Sequence, residues 1–229
     1  MRDCFFEEVC SGSIDCDTCR SNGLHYLASR VYIPKTNIPL RYLSTKLADL
    51  DLSGDSSTIN KYFSMLGELV DRGEGLYIYG AQPGTGKTSV CCVLLIHYLF
   101  FSLRIDPYNV DNRRVLYINI PEFLERIKKS FEGEDPDLEG LLAELTDLYR
   151  APKLILFDDI GAEKPSDWVR ERLYSLINFR VSNNLANLYT SNLASSELIS
   201  RVGARIVSRI EGHSKPVELR GPDKRRLSW

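Results

Sequence analysis

The sequence lacks an excess of charge of either sign. Its 229 residues include 29 Lys and Arg against 31 Asp and Glu, which gives a formal net charge of -2. A chain without a strong basic field does not attract nucleic acid through its overall charge. Any contact with DNA must therefore come from a local patch of basic residues.

The sequence also lacks an apolar leader and a long apolar run. Its first ten residues, MRDCFFEEVC, are acidic and contain no apolar core, so we expect no secretory signal there. The longest apolar run, residues 90–103, contains His97 and is too short to span a bilayer, which favours a buried helix. We therefore expect a soluble, cytoplasmic protein that does not bind a membrane.

Cysteine is scarce outside the first 19 residues. Cys91 and Cys92 fall in a helical pattern and are expected to be small core residues. A dense cysteine cluster in a cytosolic protein favours a metal site over disulfides. The other four cysteines form such a cluster, at Cys4, Cys10, Cys16 and Cys19.

The cysteine cluster has the spacing of a structural zinc site. Two residues separate Cys16 from Cys19, which lets both thiolates face one tetrahedral ion. Four thiolates complete such a site, and His25 could substitute for one of them. A segment this short cannot bury a core of its own, so the metal would supply its folding energy. Free or redox-active thiols and disulfides are the alternatives.

Three regions follow from the pattern along the chain. Residues 1–30 form the cysteine-rich segment, and residues 31–60, with scattered Pro, Ser and Asp, are predicted to be an extended linker. Residues 61–229 alternate strands with helices, which predicts a mostly parallel sheet with helices on both faces. The predicted strands are 76–79, 115–120, 154–157, 187–190 and 217–219. The predicted helices are 61–72, 87–101, 121–131, 138–149, 165–181 and 195–201.

The stretch GAQPGTGKTS, residues 80–89, follows the first predicted strand directly. A strand that enters a glycine-rich turn and then a helix is typical of a phosphate-binding loop. In such a loop Lys87 would reach the β- and γ-phosphates of ATP, and the Thr88 hydroxyl would bind magnesium. A glycine-rich turn with an exposed lysine is the alternative. The candidate nucleotide-binding residues are Gly80, Ala81, Gln82, Pro83, Gly84, Thr85, Gly86, Lys87, Thr88 and Ser89.

Polar residues end two later strands. Asp158 and Asp159 follow an apolar strand, which would bring them to the edge of the sheet where ligands bind. Asp158 would hold magnesium through water, and Asp159 could polarise an attacking water. Asn192 ends the next strand and could contact the γ-phosphate. A solvated acidic turn and an ordinary strand-end turn are the alternatives.

Arg205 and Arg209 lie four residues apart in GARIVSRIEG, so they share one face of a helix. One of them could be an arginine finger that completes the nucleotide site of a neighbouring subunit. The alternative is ordinary surface charge on a helix.

Four segments, in this order, resemble the DnaC/DnaI-type replicative helicase loaders of the AAA+ superfamily, particularly phage-encoded members. They are GLYIYGAQPGTGKTS, LILFDDIGAEKPSDWVRERLYSLINFR, LYTSNL and RIVSRIEG. The resemblance covers roughly residues 60–229, and residues 160–180 are its most specific part. It implies an AAA+ domain without a full helical lid, and subunits that share their ATP sites.

The resemblance also implies a role for each matching residue. Asp159 stands where many AAA+ enzymes have glutamate, and this shorter side chain implies slow, switch-like ATP hydrolysis. The implied roles are Walker A for Lys87 and Thr88, Walker B for Asp158 and Asp159, sensor 1 for Asn192, arginine finger for Arg209 with Arg205 beside it, and sensor 2 for Arg226.

The resemblance implies two macromolecular partners, a replicative ring helicase and single-stranded DNA. DnaI-like loaders engage the helicase through an N-terminal zinc module, which supports zinc in residues 1–30. They contact DNA through helices between the second strand and the Walker B strand. Alternatively, aromatic residues there belong to the core and the lysines balance the acidic loop 132–137. The candidate DNA-contacting residues are Phe123, Arg126, Lys128 and Lys129.

Two other functions compete with helicase loading. Transposase helper ATPases of the IstB type share much of the pattern, and such a protein would assemble on duplex DNA without a helicase. The cysteine cluster and the lack of a basic N-terminal region argue against this alternative. The second alternative is a non-hydrolysing adaptor, in which nucleotide only stabilises the fold and the zinc module recruits a partner.

Overall fold

A single parallel sheet forms the centre of the protein. The computed structural model describes residues 27–50, 56–106, 114–131, 152–162 and 165–224. The strands in this part of the chain are β1 (Gly75–Tyr79), β2 (Val115–Asn119), β3 (Leu154–Asp158), β4 (Ala186–Ser191) and β5 (Ser214–Glu218). Their order across the sheet is β2-β3-β4-β1-β5, and every neighbouring pair is parallel.

Helices precede, connect and follow the strands. The described α-helices are α1 (Leu40–Leu43), α2 (Ser56–Ser64), α3 (Leu66–Asp71), α4 (Lys87–Ile105), α5 (Ile120–Phe131), α6 (Asp167–Ser182), α7 (Ser195–Val202) and α8 (Ala204–His213). Helix α8 runs into β5 without an intervening residue, since one ends at His213 and the other begins at Ser214.

Both faces of the sheet are covered, as the sequence predicts. Side chains alternate along β1, so that Leu76 and Ile78 join one core and Tyr77 joins the other. The first core contains α4, and the second contains α5, α6, α7 and α8. A parallel sheet must bury both faces in this way, which explains the nearly continuous apolar strands.

The apolar helix α4 lies in the first core. Cys91 and Cys92 are free, fully buried thiols in it, as predicted, and burial raises the pKa of both well above the usual value. With 19 residues, α4 is longer than the predicted run and could cross a membrane by length and composition alone. Because 72% of its most apolar window is buried inside the protein, packing in the core accounts for its composition.

Residues 31–50 differ from the extended linker that the sequence predicts. They form short helical turns, Ile33–Lys35, Leu40–Leu43 and Leu47–Asp49, and Pro34 and Pro39 lie at the starts of the first two. Tyr32 and Tyr42 are buried in the same core as α4, since a few well-placed apolar side chains suffice to dock a short segment. This segment also lies beside the edge strand, where the Tyr117 N–H donates to the Thr36 carbonyl at 2.8 Å.

Other boundaries shift by a few residues for local reasons. The predicted helix 61–72 is two helices, α2 and α3, separated at Met65. Helix α6 begins after Ser166, whose hydroxyl accepts the Val169 N–H, and not at Pro165. Glu197 and not a serine caps α7, because its carboxylate accepts the Ala194 N–H. The predicted helix 138–149 lies outside the described residues.

Candidate nucleotide-binding site

A cleft of about 370 Å³ lies at the carboxyl ends of the central strands. Strand β1 lies between β4 and β5, and the next strand in the chain, β2, lies at the opposite edge of the sheet. Such a reversal of strand order opens a crevice above the sheet where ligands bind. The cleft is lined by the phosphate loop from Pro83 to Val90 and by Arg41, Tyr42, Thr45, Asp49, Leu50, Asp159, Asn192 and Lys224.

The glycine-rich loop has the backbone of an anion site. Gly84 and Gly86 have φ angles of 76° and 98°, in the left-handed region that glycine adopts readily. Helix α4 begins directly after Gly86, and its first helical hydrogen bond is that from Val90 N–H to the Gly86 carbonyl. The earlier N–H groups of this turn have no intrahelical acceptor, and together with the helix dipole they favour a phosphate group.

The Lys87 side chain is held inside this loop. It is only 6% exposed, and its ammonium donates to the carbonyls of Gly80 at 3.0 Å and Gln82 at 2.9 Å. These contacts fix the charge at the centre of the loop, where charged phosphate oxygens would be stronger acceptors than carbonyls. The alternative of an exposed lysine is therefore excluded.

Asp158 accepts hydrogen bonds from three side chains of the site. Its Oδ1 accepts hydrogen bonds from the hydroxyls of Thr88 at 2.8 Å and Thr190 at 2.6 Å, and its Oδ2 accepts one from Tyr117 at 2.8 Å. Burial and the neighbouring Asp158 charge raise the pKa of Tyr117. Thr88 and Asp158 thus place a hydroxyl and a carboxylate side by side. Hard oxygen ligands of this kind suit magnesium.

Asp159 and Asn192 also line the cleft. Asp159 has a φ of 57°, which is uncommon for a residue other than glycine, and its N–H donates to the Thr190 hydroxyl at 2.9 Å. Strained positions of this kind are concentrated at functional sites. The Ser191 hydroxyl donates to the Ile160 carbonyl at 2.7 Å and so ties the ends of β3 and β4 together. The structure therefore gathers the predicted Walker and sensor 1 residues around one cleft.

The segment after β5 closes one side of the phosphate loop. The Leu219 N–H donates to the Tyr79 carbonyl at 2.8 Å, and the Lys224 N–H donates to the Gly84 carbonyl at 3.0 Å. A Cβ at Gly84 would overlap the Asp223 carboxylate, and the φ of 76° there also favours glycine over other residues. Lys224 lines the cleft, whereas the predicted sensor 2 residue Arg226 lies outside the described residues.

Several lining residues have no counterpart in the sequence prediction. Arg41, Tyr42, Thr45 and Asp49 come from the segment predicted to be a linker. No glycine or charge pattern marks them, and they reach the cleft only because the apolar side chains around them dock on α4.

The two predicted finger residues lie on α8 and do not line the cleft of their own subunit. The Arg205 Nη1 is 3.3 Å from Glu171 Oε1, and its guanidinium lies 4.0 Å above the Tyr174 ring. Hydrogen bonds from Arg205 and then Arg209 lower the pKa of Tyr174. The shared helical face predicted for these arginines is therefore present.

The predicted DNA-contacting residues lie on α5. Phe123 and Arg126 line a second cleft of about 600 Å³ beside β2, which Arg41 also lines. Phe123 is half-buried against the second core, and Lys129 pairs with Glu125 at 2.9 Å. The side chain of Lys128 is outside the described part of the chain.

The predicted zinc ligands all lie outside the described residues. In the ranges that the structure does describe, no group of three or more His, Cys, Asp or Glu side chains could hold a metal ion. The zinc site therefore stays a prediction, for Cys4, Cys10, Cys16, Cys19 and His25.

The sheet order, the phosphate loop after β1 and the carboxylates after β3 define the class of protein, an AAA+ ATPase fold. No protein-family model matches the chain. Its homologues are replicative helicase loaders. It is 27% identical over 167 residues to the replicative helicase loader DnaI of Bacillus subtilis, and 22% identical over 135 residues to the replicative helicase loader DnaC of Buchnera aphidicola. These matches cover 67% and 58% of this chain, and the chain spans about half the length of these curated relatives, 48% and 49%.

Solved structures agree on the fold. A crystal structure of the DnaC helicase loader matches with a TM-score of 0.61 and 22% identity, over 80% of this chain and 100% of that one. A crystal structure of DnaI matches with a TM-score of 0.61 and 24% identity, over 81% and 96%. AMPPCP-bound DnaA from Aquifex aeolicus matches with a TM-score of 0.60 and 20% identity, over 80% and 51%. The predicted AAA+ fold and the predicted resemblance to replicative helicase loaders are confirmed, while the phage origin stays a prediction.

Proposed function

We propose that this protein is an ATP-dependent helicase loader, which binds a replicative ring helicase and delivers it onto single-stranded DNA during replication initiation. The observation that carries this proposal is a preorganised phosphate loop, with Lys87 inside it and Thr88 bonded to Asp158, in a chain whose homologues are loaders. The DnaI and DnaC alignments favour loading over the transposase-helper alternative.

Each group of cleft residues would have a separate role in binding or hydrolysing ATP. Loop N–H groups and Lys87 would hold the phosphates, and Thr88 with Asp158 would hold magnesium. When bound, magnesium would neutralise charge that develops on the phosphate oxygens. Asp159 would orient the attacking water, and Asn192 would contact the γ-phosphate. The aspartate side chain is one methylene shorter than glutamate, so we expect slow hydrolysis that suits a switch.

The function is tested by capture of the resident replicative helicase on the immobilised full chain, with and without MgATP. We expect the helicase to bind, and we expect ATP to change how much of it is retained. The Lys87→Ala variant should bind helicase but lose this response to ATP. Failure to capture helicase in either state would contradict the loader function and favour the transposase-helper alternative.

We propose that subunits share their ATP sites through Arg209. Neither Arg205 nor Arg209 lines the cleft of its own subunit, and Arg205 is paired with Glu171, which favours Arg209 as the residue that would meet a neighbour's triphosphate. Arg209→Ala should lower ATP hydrolysis by at least ~100-fold in the presence of helicase and single-stranded DNA, since arginine fingers act on the transition state. Nucleotide affinity of the isolated subunit should not change.

The matched control for Arg209→Ala is Arg201→Ala, an exposed arginine on the neighbouring helix α7. Steady-state phosphate release and analytical ultracentrifugation report hydrolysis and assembly of the two variants. If Arg209→Ala assembled and hydrolysed ATP like the control, the shared site would be wrong.

We propose that residues 1–30 form a zinc module that engages the helicase, with ligands drawn from Cys4, Cys10, Cys16, Cys19 and His25. Metal analysis of the purified chain should find about one zinc per chain, as expected for one tetrahedral four-ligand site. The double variant Cys16→Ser/Cys19→Ser should lose the metal and the captured helicase together. The double variant Cys91→Ser/Cys92→Ser is not a suitable control, because both thiols are core residues. A wild-type chain without metal would contradict the module.

We also propose that single-stranded DNA contacts α5 through Phe123, Arg126, Lys128 and Lys129. Phe123 and Arg126 both line the second cleft, so an aromatic ring and a guanidinium are available to the same ligand. Stacking on aromatic rings and contacts to basic side chains are the usual means by which proteins bind single strands.

A further inference from the structure

Tyr117 is a buried tyrosine in the middle of β2, and its side chain is 6% exposed. It does not line the nucleotide cleft, yet its hydroxyl donates to the Oδ2 of Asp158 at 2.8 Å. In the register of the two strands Tyr117 pairs with Leu156, so its ring extends two residues along β3 to reach the carboxylate. The hydroxyl therefore meets Asp158 from the neighbouring strand and not from the cleft.

The two oxygens of the Asp158 carboxylate have different partners. Oδ1 accepts the hydroxyls of Thr88 at 2.8 Å and Thr190 at 2.6 Å, whereas Oδ2 accepts the hydroxyl of Tyr117. An ionised carboxylate has no proton to give, so each hydroxyl is the donor. Because the Thr88 hydroxyl gives its proton to Oδ1, the lone pairs of its oxygen can face a cation.

The bond from Tyr117 fixes the rotation of this carboxylate. Two donors on Oδ1 alone would let the group turn about its Cβ–Cγ bond, a torsion with broad preferences. A third donor on Oδ2, from a different strand, sets that angle. Asp158 is only 3% exposed, so water is poorly placed to replace a lost donor, and the carboxylate would turn toward the remaining hydroxyls.

Tyr117 is itself held firmly enough to set an orientation. Its N–H donates to the Thr36 carbonyl at 2.8 Å, and the pairing of β2 with β3 holds the strand on its other side. Its ring packs in the first core. A group held by strand and core can position a ligating side chain with precision.

We infer that Tyr117 is a positioning residue for magnesium, whose hydroxyl holds the Asp158 carboxylate so that Oδ1 and the Thr88 oxygen face the same cation. Magnesium demands near-ideal octahedral geometry, so a small turn of the carboxylate weakens its binding. The loss of a donor would also leave more negative charge on the carboxylate, which would strengthen binding if orientation did not matter. The two effects thus shift magnesium affinity in opposite directions. This inference rests on the proposed function, because it takes the cleft to be a site for MgATP.

Tyr117→Phe keeps the ring and removes only the hydroxyl. The magnesium concentration that half-restores ATP binding, measured by titration calorimetry, should rise by roughly 10-fold, as expected when a hydrogen-bond partner of a metal-binding group is lost. ATP binding in EDTA should stay unchanged. The matched control is Tyr62→Phe, because Tyr62 is buried in the same core and its hydroxyl donates to the Glu74 carbonyl at 2.8 Å. The control should keep the magnesium requirement of the wild type.

The double variant Tyr117→Phe/Asp158→Asn tests whether Tyr117 acts through Asp158. At one fixed magnesium concentration, Tyr117→Phe should weaken MgATP binding in the wild-type background. The same change should have little further effect when Asp158→Asn is already present, because residues that act through one contact are not additive.

A raised magnesium requirement in Tyr117→Phe, absent from Tyr62→Phe and from the Asp158→Asn background, supports the inference. An unchanged or lowered requirement overturns it. Losses that multiply in the double variant also overturn it, because a general weakening of the fold would act in either background. A wild-type chain that bound no MgATP would refute the proposed function itself. A wild type that bound MgATP, beside a Tyr117→Phe variant with the same magnesium requirement, would overturn this inference alone.

Discussion

Lys87→Ala is expected to weaken MgATP binding by at least ~100-fold, because it removes the one cation that lies inside the phosphate loop of the described structure. The ammonium is already buried and already bonded to the loop carbonyls of Gly80 and Gln82. Little rearrangement is therefore needed before it meets the phosphates. All steps that depend on ATP, including hydrolysis, should be lost together.

The binding loss is measured by titration calorimetry or with a fluorescent ATP analogue. Lys61→Ala is the matched control, since Lys61 is an exposed lysine in the last turn of α2 and does not line the cleft. Both variants should give the circular dichroism spectrum of the wild type. If a folded Lys87→Ala protein bound MgATP with an affinity near that of the control, the assignment of the cleft to nucleotide would be contradicted.

Asp158→Asn is expected to lower ATP hydrolysis by roughly 100- to 1000-fold while leaving the fold intact. The amide has the shape of the carboxylate; its oxygen can still accept from the hydroxyls of Thr88 and Thr190, and its N–H can donate to the Tyr117 oxygen. It cannot supply the negative charge that attracts magnesium. The variant should therefore lose most of the magnesium dependence of ATP binding, with a smaller loss in metal-free binding.

Phosphate release and ATP titrations at several magnesium concentrations separate these effects. Asp71→Asn, at an exposed position in α3, is the control for the loss of one carboxylate. Thermal melting should show both variants folded. Unaltered magnesium dependence in Asp158→Asn would mean that this carboxylate does not serve the metal, whatever its effect on the rate.

The phosphate loop could be predicted from sequence because its chemistry is local. Gly84, Gly86, Lys87 and Thr88 lie within five residues of one another, and their spacing fixes their geometry. Asp158 could be predicted for a similar reason, since a carboxylate at the end of an apolar strand reaches the ligand edge of a parallel sheet.

The partners of Asp158 could not be predicted, because they depend on strand register. Tyr117 and Thr190 stand 41 and 32 positions from Asp158 in the chain, and they reach it only through the pairing of β2 and β4 with β3. A tyrosine in an apolar strand looks like core until that pairing is known.

Arg180 escaped prediction for a different reason. An arginine near the end of a helix is normally solvated, whereas this one is fully buried and has a pKa lowered by burial to about 9. Its guanidinium donates to the Asn187 side chain and to the carbonyls of Pro152 and Ala186, at 2.9 Å and 2.8 Å for the last two. Acceptors from two separate stretches of chain, residues 152–153 and 186–187, satisfy the charge, and no local pattern reveals them.

The direct join between α8 and β5 couples the position of the helix to the position of the strand. Arg209 lies one turn before His213, where the helix ends, and β5 starts at the next residue. Strand β5 is in turn hydrogen-bonded along its length to β1, the strand that carries the phosphate loop. Because no loop separates α8 from β5, a displacement of Arg209 by a neighbouring subunit would also displace β5, which lies beside the strand that carries the phosphate loop. If subunits share their ATP sites as proposed, ATP binding at one site would in this way alter the next site along the assembly.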